Sequence, residues 1–233
     1  MVSGIHWRSI LDIFLPRYCV ICDHELAATE ECICNVCLFR LNMVKWTSAD
    51  DNPLLRKLWD KQDVEKGGCS LYYRHTSDSH NIFVLLKYRG KPELGRNVAR
   101  SAFPYWQNLG LADGVDYIIP VPLHWIRHLR RGYNQAEWIA KGISDITDIP
   151  VKTNILYRTR NNRTQTHNTG LERAESAIGL FAAKQGKELD GKTVLVVDDI
   201  LTTGSTMADS IRALREAYPG VRVRVYSLGW SGR

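Results

Sequence analysis

The strongest pattern in the chain is an apolar run followed by two acids, small hydroxyl residues and a helical repeat. Residues 194–197 are all Val or Leu, a composition typical of a strand buried in a parallel sheet. From residue 207 to 217, apolar positions such as Ile211 and Leu214 recur at helical spacing. The pattern therefore predicts a strand, a loop and a helix. In open α/β sheets, such a loop lies at the carboxyl end of the strand, where ligands bind.

The same periodicity predicts further elements. After the N-terminal cysteines, the chain predicts helices over 53–63, 78–88 and 134–146, and strands over 116–121, 154–157 and 221–228. This alternation is typical of an α/β fold with a mostly parallel sheet and flanking helices. We expect three regions: a small cysteine-rich module at 1–50, a mainly helical connecting or hood region at 51–115, and the sheet-containing core at 116–233.

Residues 198–206 carry the candidate chemistry. N–H groups at the start of the predicted helix, with a glycine and hydroxyls beside them, suit a phosphate; the residues are Thr202, Thr203, Gly204, Ser205 and Thr206. Asp198 and Asp199 only accept hydrogen bonds, which suits vicinal sugar hydroxyls or a hydrated cation. The combination indicates ribose 5-phosphate. A nucleoside-triphosphate loop is disfavoured because no lysine follows Gly204. The structural alternative is a pair of solvated acids beside an ordinary Ser/Thr helix cap.

The segment 198–206 resembles the phosphoribosyl-pyrophosphate (PRPP) signature of type I phosphoribosyltransferases. Residues 120–124 and 131–136 are similar to the ComF (competence protein F) branch of that fold, as are residues 87–90 and the cysteine-rich start. The resemblance implies a type I phosphoribosyltransferase-like core that binds PRPP with Mg²⁺. It marks five positions as family-motif residues of unknown role: Lys87, Arg89, Gly132, Asn134 and Gln135. One departure is Ser176, which stands where the family usually has asparagine.

Two basic clusters flank the predicted strands. No acid lies between residues 123 and 136, and this stretch is the candidate pyrophosphate and Mg²⁺ region, with Pro122, Leu123, Arg127 and Arg131 as its site residues and Arg130 beside them. The second cluster lies in the polar segment 158–170, which by resemblance is the flexible loop that closes over PRPP; its residues are Arg158, Arg160, Arg163 and Gln165. Each cluster could instead keep a surface loop soluble.

The cysteine spacing predicts a metal site. Cys19 and Cys22 form one short knuckle, and Cys34 and Cys37 form a second, a spacing that brings four thiolates to one tetrahedral structural zinc. Disulfides are the alternative, disfavoured in a cytosolic chain. Cys32 is left outside the ligand set, and Cys69 is expected to be a buried strand residue. Residues 1–50 hold four Lys and Arg against six Asp and Glu, a net charge of −2, which favours a structural or docking role over DNA recognition.

Composition narrows the protein's class and location. The 233 residues suffice for a sizeable core, and no apolar run approaches the ~18 residues of a membrane span. Residues 5–15 make a poor signal peptide because Arg8 and Asp12 interrupt them. An apolar stripe over Trp7, Leu11, Phe14 and Tyr18 fits core packing or a partner contact better than a membrane anchor. We therefore expect a cytoplasmic protein.

Two functions from different classes remain. The first is a PRPP-dependent transferase that moves phosphoribosyl to an unidentified nitrogen acceptor, linked to DNA uptake or nucleotide salvage. Asp198 and Asp199 would be its catalytic pair, because they hold the ribose hydroxyls and stabilise cationic character on the ring. The second is a non-enzymatic DNA-uptake accessory protein, with single-stranded DNA or competence proteins as candidate partners. Four aromatic residues would be its stacking platforms, although core packing is the favoured interpretation of each: Trp106, Trp125, Tyr133 and Trp138.

Overall fold

The secondary structure follows the α/β order that the sequence predicts. The computed structural model describes residues 16–74, 78–88, 90–159 and 179–232. In chain order the elements are α1 (Asn35–Arg40), α2 (Pro53–Trp59), β1 (Lys66–Tyr72), α3 (Asp78–Tyr88), α4 (Pro92–Asn108), β2 (Tyr117–Pro120), α5 (Trp125–Arg131), α6 (Gln135–Thr147), β3 (Leu156–Arg158), β4 (Phe181–Ala183), β5 (Thr193–Leu201), α7 (Ser205–Ala217) and β6 (Arg222–Trp230). No helix among these residues is both long enough and apolar enough to cross a membrane.

Four parallel strands form the central sheet in the order β1-β6-β5-β2. In β5, the four apolar residues from Val194 to Val197 are fully buried, as expected of a parallel strand that is covered on both faces. The predicted α/β fold is confirmed. Cys69 lies fully buried in β1, as the sequence indicates. β1 belongs to the region 51–115 and pairs with β6 of the region 116–233. The central sheet therefore contains strands from both regions.

The predicted strand at 154–157 is displaced and lies outside the central sheet. The observed strand, β3, pairs antiparallel with β4 in a separate two-stranded sheet. Tyr157 in its middle is about half exposed, so β3 lacks the two covered faces of a central strand. The sheet's two strands flank residues 160–178, which lie outside the described residues.

The longest helix, α4, is absent from our sequence predictions. Gly95 and Pro104 weaken its helical pattern, yet its apolar face is buried through residues such as Phe103 and Trp106. It packs closely on α6: a Cβ added to Gly142 would lie 2.2 Å from the Arg96 carbonyl oxygen. A bidentate ion pair from Arg96 to Asp145, with hydrogen bonds of 2.6 and 2.7 Å, reinforces this contact. Helix α4 therefore forms a support for α6, whose first turn borders the site described below.

The N-terminal module covers the free edge of β1. The N–H of Val44 donates to the Ser70 carbonyl oxygen at 2.8 Å, and the N–H of Tyr72 donates to the Asn42 carbonyl oxygen at 2.9 Å. A covered edge offers no unpaired strand to other chains. The module is therefore joined to the core sheet by backbone hydrogen bonds.

Candidate functional site

A cleft of about 750 Å³ opens at the carboxyl ends of β2 and β5. It gathers side chains from four separate stretches of the chain, all of which contain predicted site residues. Among its lining residues are Lys87, Pro122, Leu123, Arg131, Asn134, Gln135, Arg158, Asp198, Asp199 and Thr206. The strand ends of an open parallel sheet are where such folds bind ligands, so this cleft is the candidate active site.

The two acids at the end of β5 lie side by side in the cleft, and the pKa of Asp198 is strongly shifted. Asp198 Oδ1 accepts the N–H of Asp199 at 2.8 Å, and Asp199 Oδ2 lies 3.2 Å from Lys87 Nζ. Burial, and then the neighbouring Asp199 carboxylate, raise the pKa of Asp198 to about 8. The attraction of Lys87 and Arg158 opposes this rise and does not cancel it. At neutral pH Asp198 therefore keeps its proton in the ligand-free protein.

The predicted phosphate loop connects β5 to α7. Gly204 has φ +77°, a left-handed conformation that favours glycine, and it stands at the N-cap of α7. Gly204 has no side chain to cap this helix, and of the first-turn N–H groups that of Ser205 donates to Thr203 Oγ1 at 3.4 Å. The Thr203 hydroxyl in turn donates to Ser205 Oγ at 3.0 Å. Of the five predicted loop residues, only Thr206 lines the cleft itself, while Thr202 and Thr203 are exposed at its end.

Some arginines of each basic cluster line the cleft. Arg130, Arg131 and Arg158 line it, and the Arg131 guanidinium lies 5.5 Å from the centre of the Tyr88 ring. The Arg127 side chain lies outside what the structure describes. So do several other predicted positions: Arg89, Arg160, Arg163, Gln165, Ser176 and the apolar stripe at Trp7, Leu11 and Phe14.

Three family-motif positions have clear structural contacts. Gly132 ends α5 at φ +78°, a conformation that favours glycine. Asn134 caps α6 by accepting the N–H of Ala136, and its Nδ2 donates to the Val121 carbonyl oxygen at 3.0 Å. Gln135 is buried, and its Nε2 donates to the Leu86 carbonyl oxygen at 3.4 Å. Asn134 and Gln135 therefore tie α6 to the end of β2 and to α3, which carries Lys87.

Sequence reasoning missed Lys61 and Asp209 near the site, and it named Tyr133 only as a stacking or core aromatic residue and not for its hydrogen bond. Tyr133 Oη donates to the Leu86 carbonyl oxygen at 2.6 Å, and Lys61 Nζ donates to the Thr203 carbonyl oxygen at 2.6 Å. Asp209 on α7 is buried and accepts the N–H groups of Gly179, Leu180 and Phe181 at 2.8–3.0 Å. Only Asp209 left a signal in the sequence, an acid within the apolar half of a helix. The contacts of the other two join segments far apart along the chain.

The four aromatic residues differ in their exposure. Trp106 is 1% exposed, as the core interpretation predicts, and Tyr133 and Trp138 are partly buried. The core interpretation is wrong for Trp125, which is 60% exposed at the start of α5. Tyr88, at the mouth of the cleft, is 73% exposed. Tyr88 is therefore an accessible aromatic ring on the wall of the cleft.

The four predicted metal ligands come together in the N-terminal module. The Sγ atoms of Cys19, Cys22, Cys34 and Cys37 lie within 4.8 Å of one another. Sulfurs around a tetrahedral zinc stand about 3.8 Å apart, given a Zn–S bond of about 2.3 Å. The Cys22 and Cys34 sulfurs are 3.7 Å apart, which fits that geometry. The four thiols are thus close enough to hold one metal ion.

Backbone N–H groups favour the thiolate of Cys19, whereas burial raises the pKa of Cys37 in the ligand-free protein. Burial opposes ionisation of Cys19, but N–H groups including that of Cys34 outweigh it and lower the pKa of Cys19 to about 7. Cys32 lies outside the group: its Sγ accepts from Asn97 Nδ2 at 3.1 Å, and burial raises the pKa of its thiol. Cys32 is thus bonded to α4 and lies outside the group of four close sulfurs, in agreement with its omission from the predicted set.

Comparison with known proteins matches the core region. A family model described as "Phosphoribosyl transferase domain" matches residues 109–228, just over half of the chain. "Competence protein F" of Haemophilus influenzae is 38% identical over 100 residues, 42% of this chain and 44% of that protein. "Competence protein ComFC" of Bacillus subtilis is 29% identical over 142 residues, 61% of this chain and 55% of that protein. "DNA utilization protein YhgH" of Escherichia coli K12 is 31% identical over 99 residues, 42% of this chain and 43% of that protein.

The chain therefore spans about half the length of the curated relatives it matches. The matched family region contains β2, β5, the acid pair and the loop before α7, which border the cleft, whereas Lys87 and Tyr88 on the cleft wall lie outside it. The chain belongs to the phosphoribosyl transferase domain family, and its similarity to competence proteins confirms the resemblance to the ComF branch.

Proposed function

We propose that this protein binds PRPP with Mg²⁺ and transfers its phosphoribosyl group to a nitrogen acceptor, in a role linked to DNA uptake or nucleotide salvage. One observation carries the proposal: the acid pair at the end of β5 shares a single cleft with the cations of two basic clusters and borders an uncapped helix N-terminus. A diol, a 5-phosphate and a pyrophosphate each meet suitable groups there. The relatives' names support the link to DNA uptake.

The acid pair suits the ribose. Asp199, paired with Lys87, and Asp198 beside it offer acceptors for the two ring hydroxyls. Departure of pyrophosphate from C1 leaves cationic character on the sugar, and negative charge held close to that carbon stabilises it. A cationic ring next to Asp198 would favour loss of its proton. The pair would therefore be most negative when the positive charge develops.

The cations of the cleft suit the leaving group. Arg131 and Arg158 both line the cleft and can screen the charge of the pyrophosphate together with the Mg²⁺ that accompanies PRPP. Thr202, Thr203, Gly204, Ser205 and Thr206 would bind the 5-phosphate through their N–H groups and hydroxyls. The matched segments on β2 and α5, including Pro122, Leu123 and Arg127, would shape the pyrophosphate region.

For the N-terminal module we propose one structural zinc held by Cys19, Cys22, Cys34 and Cys37. The 3.7 Å separation between two of the sulfurs and the thiolate-favouring backbone support it. Its role would be to hold the module against the β1 edge and α4, where Glu31 pairs with Arg100 at 3.1 Å. A reduced cytoplasmic compartment is the setting in which such thiols persist.

A second candidate is a non-enzymatic accessory protein of DNA uptake that uses the pocket for ligand sensing or for single-stranded DNA. The exposed ring of Tyr88, with the Arg131 guanidinium over it and Arg130 in the same cleft, favours it, because stacking surfaces and cations together bind single strands. Titration with labelled single-stranded DNA at several salt concentrations tests this candidate. Phosphate binding must weaken steeply as salt rises.

A screen of acceptors decides whether the protein is a catalyst. The purified protein is incubated with PRPP, Mg²⁺ and a panel of nitrogen acceptors, nucleobases first, and pyrophosphate release is followed. An Asp199→Asn variant is the matched control for contaminating activity. Release that needs both an acceptor and Asp199 supports the transferase. A screen without any release, combined with salt-sensitive DNA binding, would favour the accessory role.

A further inference from the structure

A lysine outside the matched family region contacts the backbone of the phosphate loop. Lys61, in the turn after α2, donates from Nζ to the Thr203 carbonyl oxygen at 2.6 Å, across 142 residues of sequence. The family model begins at residue 109, so this contact joins the connecting region to the loop. A charged donor makes it a strong hydrogen bond.

Helix α2 is rigidly placed for this contact. Asn52 caps it, and Asn52 Nδ2 donates to the Gly67 carbonyl oxygen of β1 at 2.9 Å. Leu58, fully buried on α2, packs against the loop: a Cβ at Gly204 would lie 3.0 Å from Leu58 Cδ2. The N–H of Lys61 itself donates to the Leu58 carbonyl oxygen at 2.8 Å. The backbone of Lys61 is therefore fixed relative to both the sheet and the loop.

The direction of this hydrogen bond determines where the loop points its own donor. In a trans peptide, the C=O of one residue and the N–H of the next point in opposite directions, and the described residues contain no cis peptide. Since the Thr203 C=O faces Lys61, the N–H of Gly204 faces away from it. The N–H of Gly204 donates to no acceptor among the residues that the structure describes. This donor is therefore available to an acceptor from outside the chain.

We propose that Lys61 is a positioning residue for the 5-phosphate of PRPP, an inference that rests on the proposed function. It holds the Thr203–Gly204 peptide so that the Gly204 N–H points at the phosphate. Its charge also polarises that peptide, which strengthens the N–H as a donor. Lys61 thus acts through the backbone and need not touch the ligand. The connecting region, which also carries Lys87, would in this way set the affinity of a site whose acid pair and phosphate loop lie on the core.

The test compares Lys61→Met with Lys61→Arg and with a matched control, Lys57→Met. Lys57 lies on α2 with its Nζ 4.9 Å from the centre of the Trp230 ring, and burial and then the Lys61 charge lower its pKa. Its loss removes one nearby charge without removing the loop contact. Calorimetric titrations use ribose 5-phosphate, PRPP with Mg²⁺, and pyrophosphate with Mg²⁺, and thermal midpoints of the ligand-free variants are recorded.

We expect Lys61→Met to weaken ribose 5-phosphate and PRPP by about tenfold and to leave pyrophosphate affinity unchanged. Lys61→Arg should recover most of the loss, and Lys57→Met should bind like wild type. Equal effects of Lys61→Met and Lys57→Met would indicate a general charge effect and overturn the inference, as would an unchanged Lys61→Met. Loss of all three ligands with a lowered thermal midpoint would also overturn it. Wild type that binds neither ribose 5-phosphate nor PRPP would remove the proposed function and this inference with it.

Discussion

Replacing Asp198 with asparagine should stabilise the ligand-free protein, and the gain should grow with pH. Burial, and then the Asp199 carboxylate, raise the pKa of Asp198 from 3.8 to about 8. The folded state therefore keeps a proton on Asp198 that the unfolded chain releases. Below pH 4 both states are protonated and the group costs nothing. As pH rises from about 4 to about 8, wild-type stability falls, and above pH 8 the loss is complete.

The magnitude follows from the size of the shift. Each pKa unit corresponds to about 1.36 kcal/mol, so at pH 7 a shift of roughly three effective units corresponds to about 4 kcal/mol. Asp198 is partly exposed, and water in the cleft screens part of this penalty. We therefore expect Asp198→Asn to raise the free energy of unfolding by about 1–3 kcal/mol at pH 7 and by much less at pH 5.

Urea unfolding at pH 5, 6, 7 and 8, without phosphate or Mg²⁺, measures this gain. Asp116→Asn is the matched control, because the Thr193 N–H and then Lys192 lower the pKa of Asp116. Its stabilising effect is fully present above the unfolded pKa and is lost only as pH falls through the lower folded value. The control should thus lose stability by a similar amount at all four pH values. A gain for Asp198→Asn that does not change with pH would refute the argument.

Three further predictions concern the metal, the ligand and the chemistry. The purified protein should carry about one zinc per chain by metal analysis. The Cys34→Ser variant should lose most of this zinc, and the Cys32→Ser variant should keep it. A metal-free wild type of equal stability would contradict the zinc site. PRPP with Mg²⁺ should raise the thermal midpoint of wild type, and Asp199→Asn should abolish that rise, so no shift at millimolar PRPP would count against the site. If the protein is a transferase, Asp198→Asn should reduce turnover far more than PRPP affinity, because the amide still bonds a hydroxyl and no longer stabilises a cation; equal losses in steady-state kinetics would argue for a binding role alone.

Local features of this protein could be read from its sequence because their causes are local. The run before Asp198 consists of Val and Leu, which favour a buried strand. The two acids follow this run directly and therefore lie at the carboxyl end of the strand. The knuckle spacing of the cysteines likewise brings four sulfurs together through short turns. Both the family resemblance and the α/β fold rest on such contiguous segments.

Other features arise only when distant segments meet. The pairing of Lys87 with Asp199, the contact of Lys61 with Thr203 and the place of β1 beside β6 each join residues more than 100 positions apart. Exposure is equally a tertiary property: the sequence favours the core for both Trp106 and Trp125, yet Trp106 is buried in the core and Trp125 is exposed at the start of α5. Periodicity and spacing report the conformation of the chain near a residue. The packing of the helices against the sheet determines which surface each residue contacts. It therefore also determines the pKa of Asp198 and the orientation of the phosphate loop.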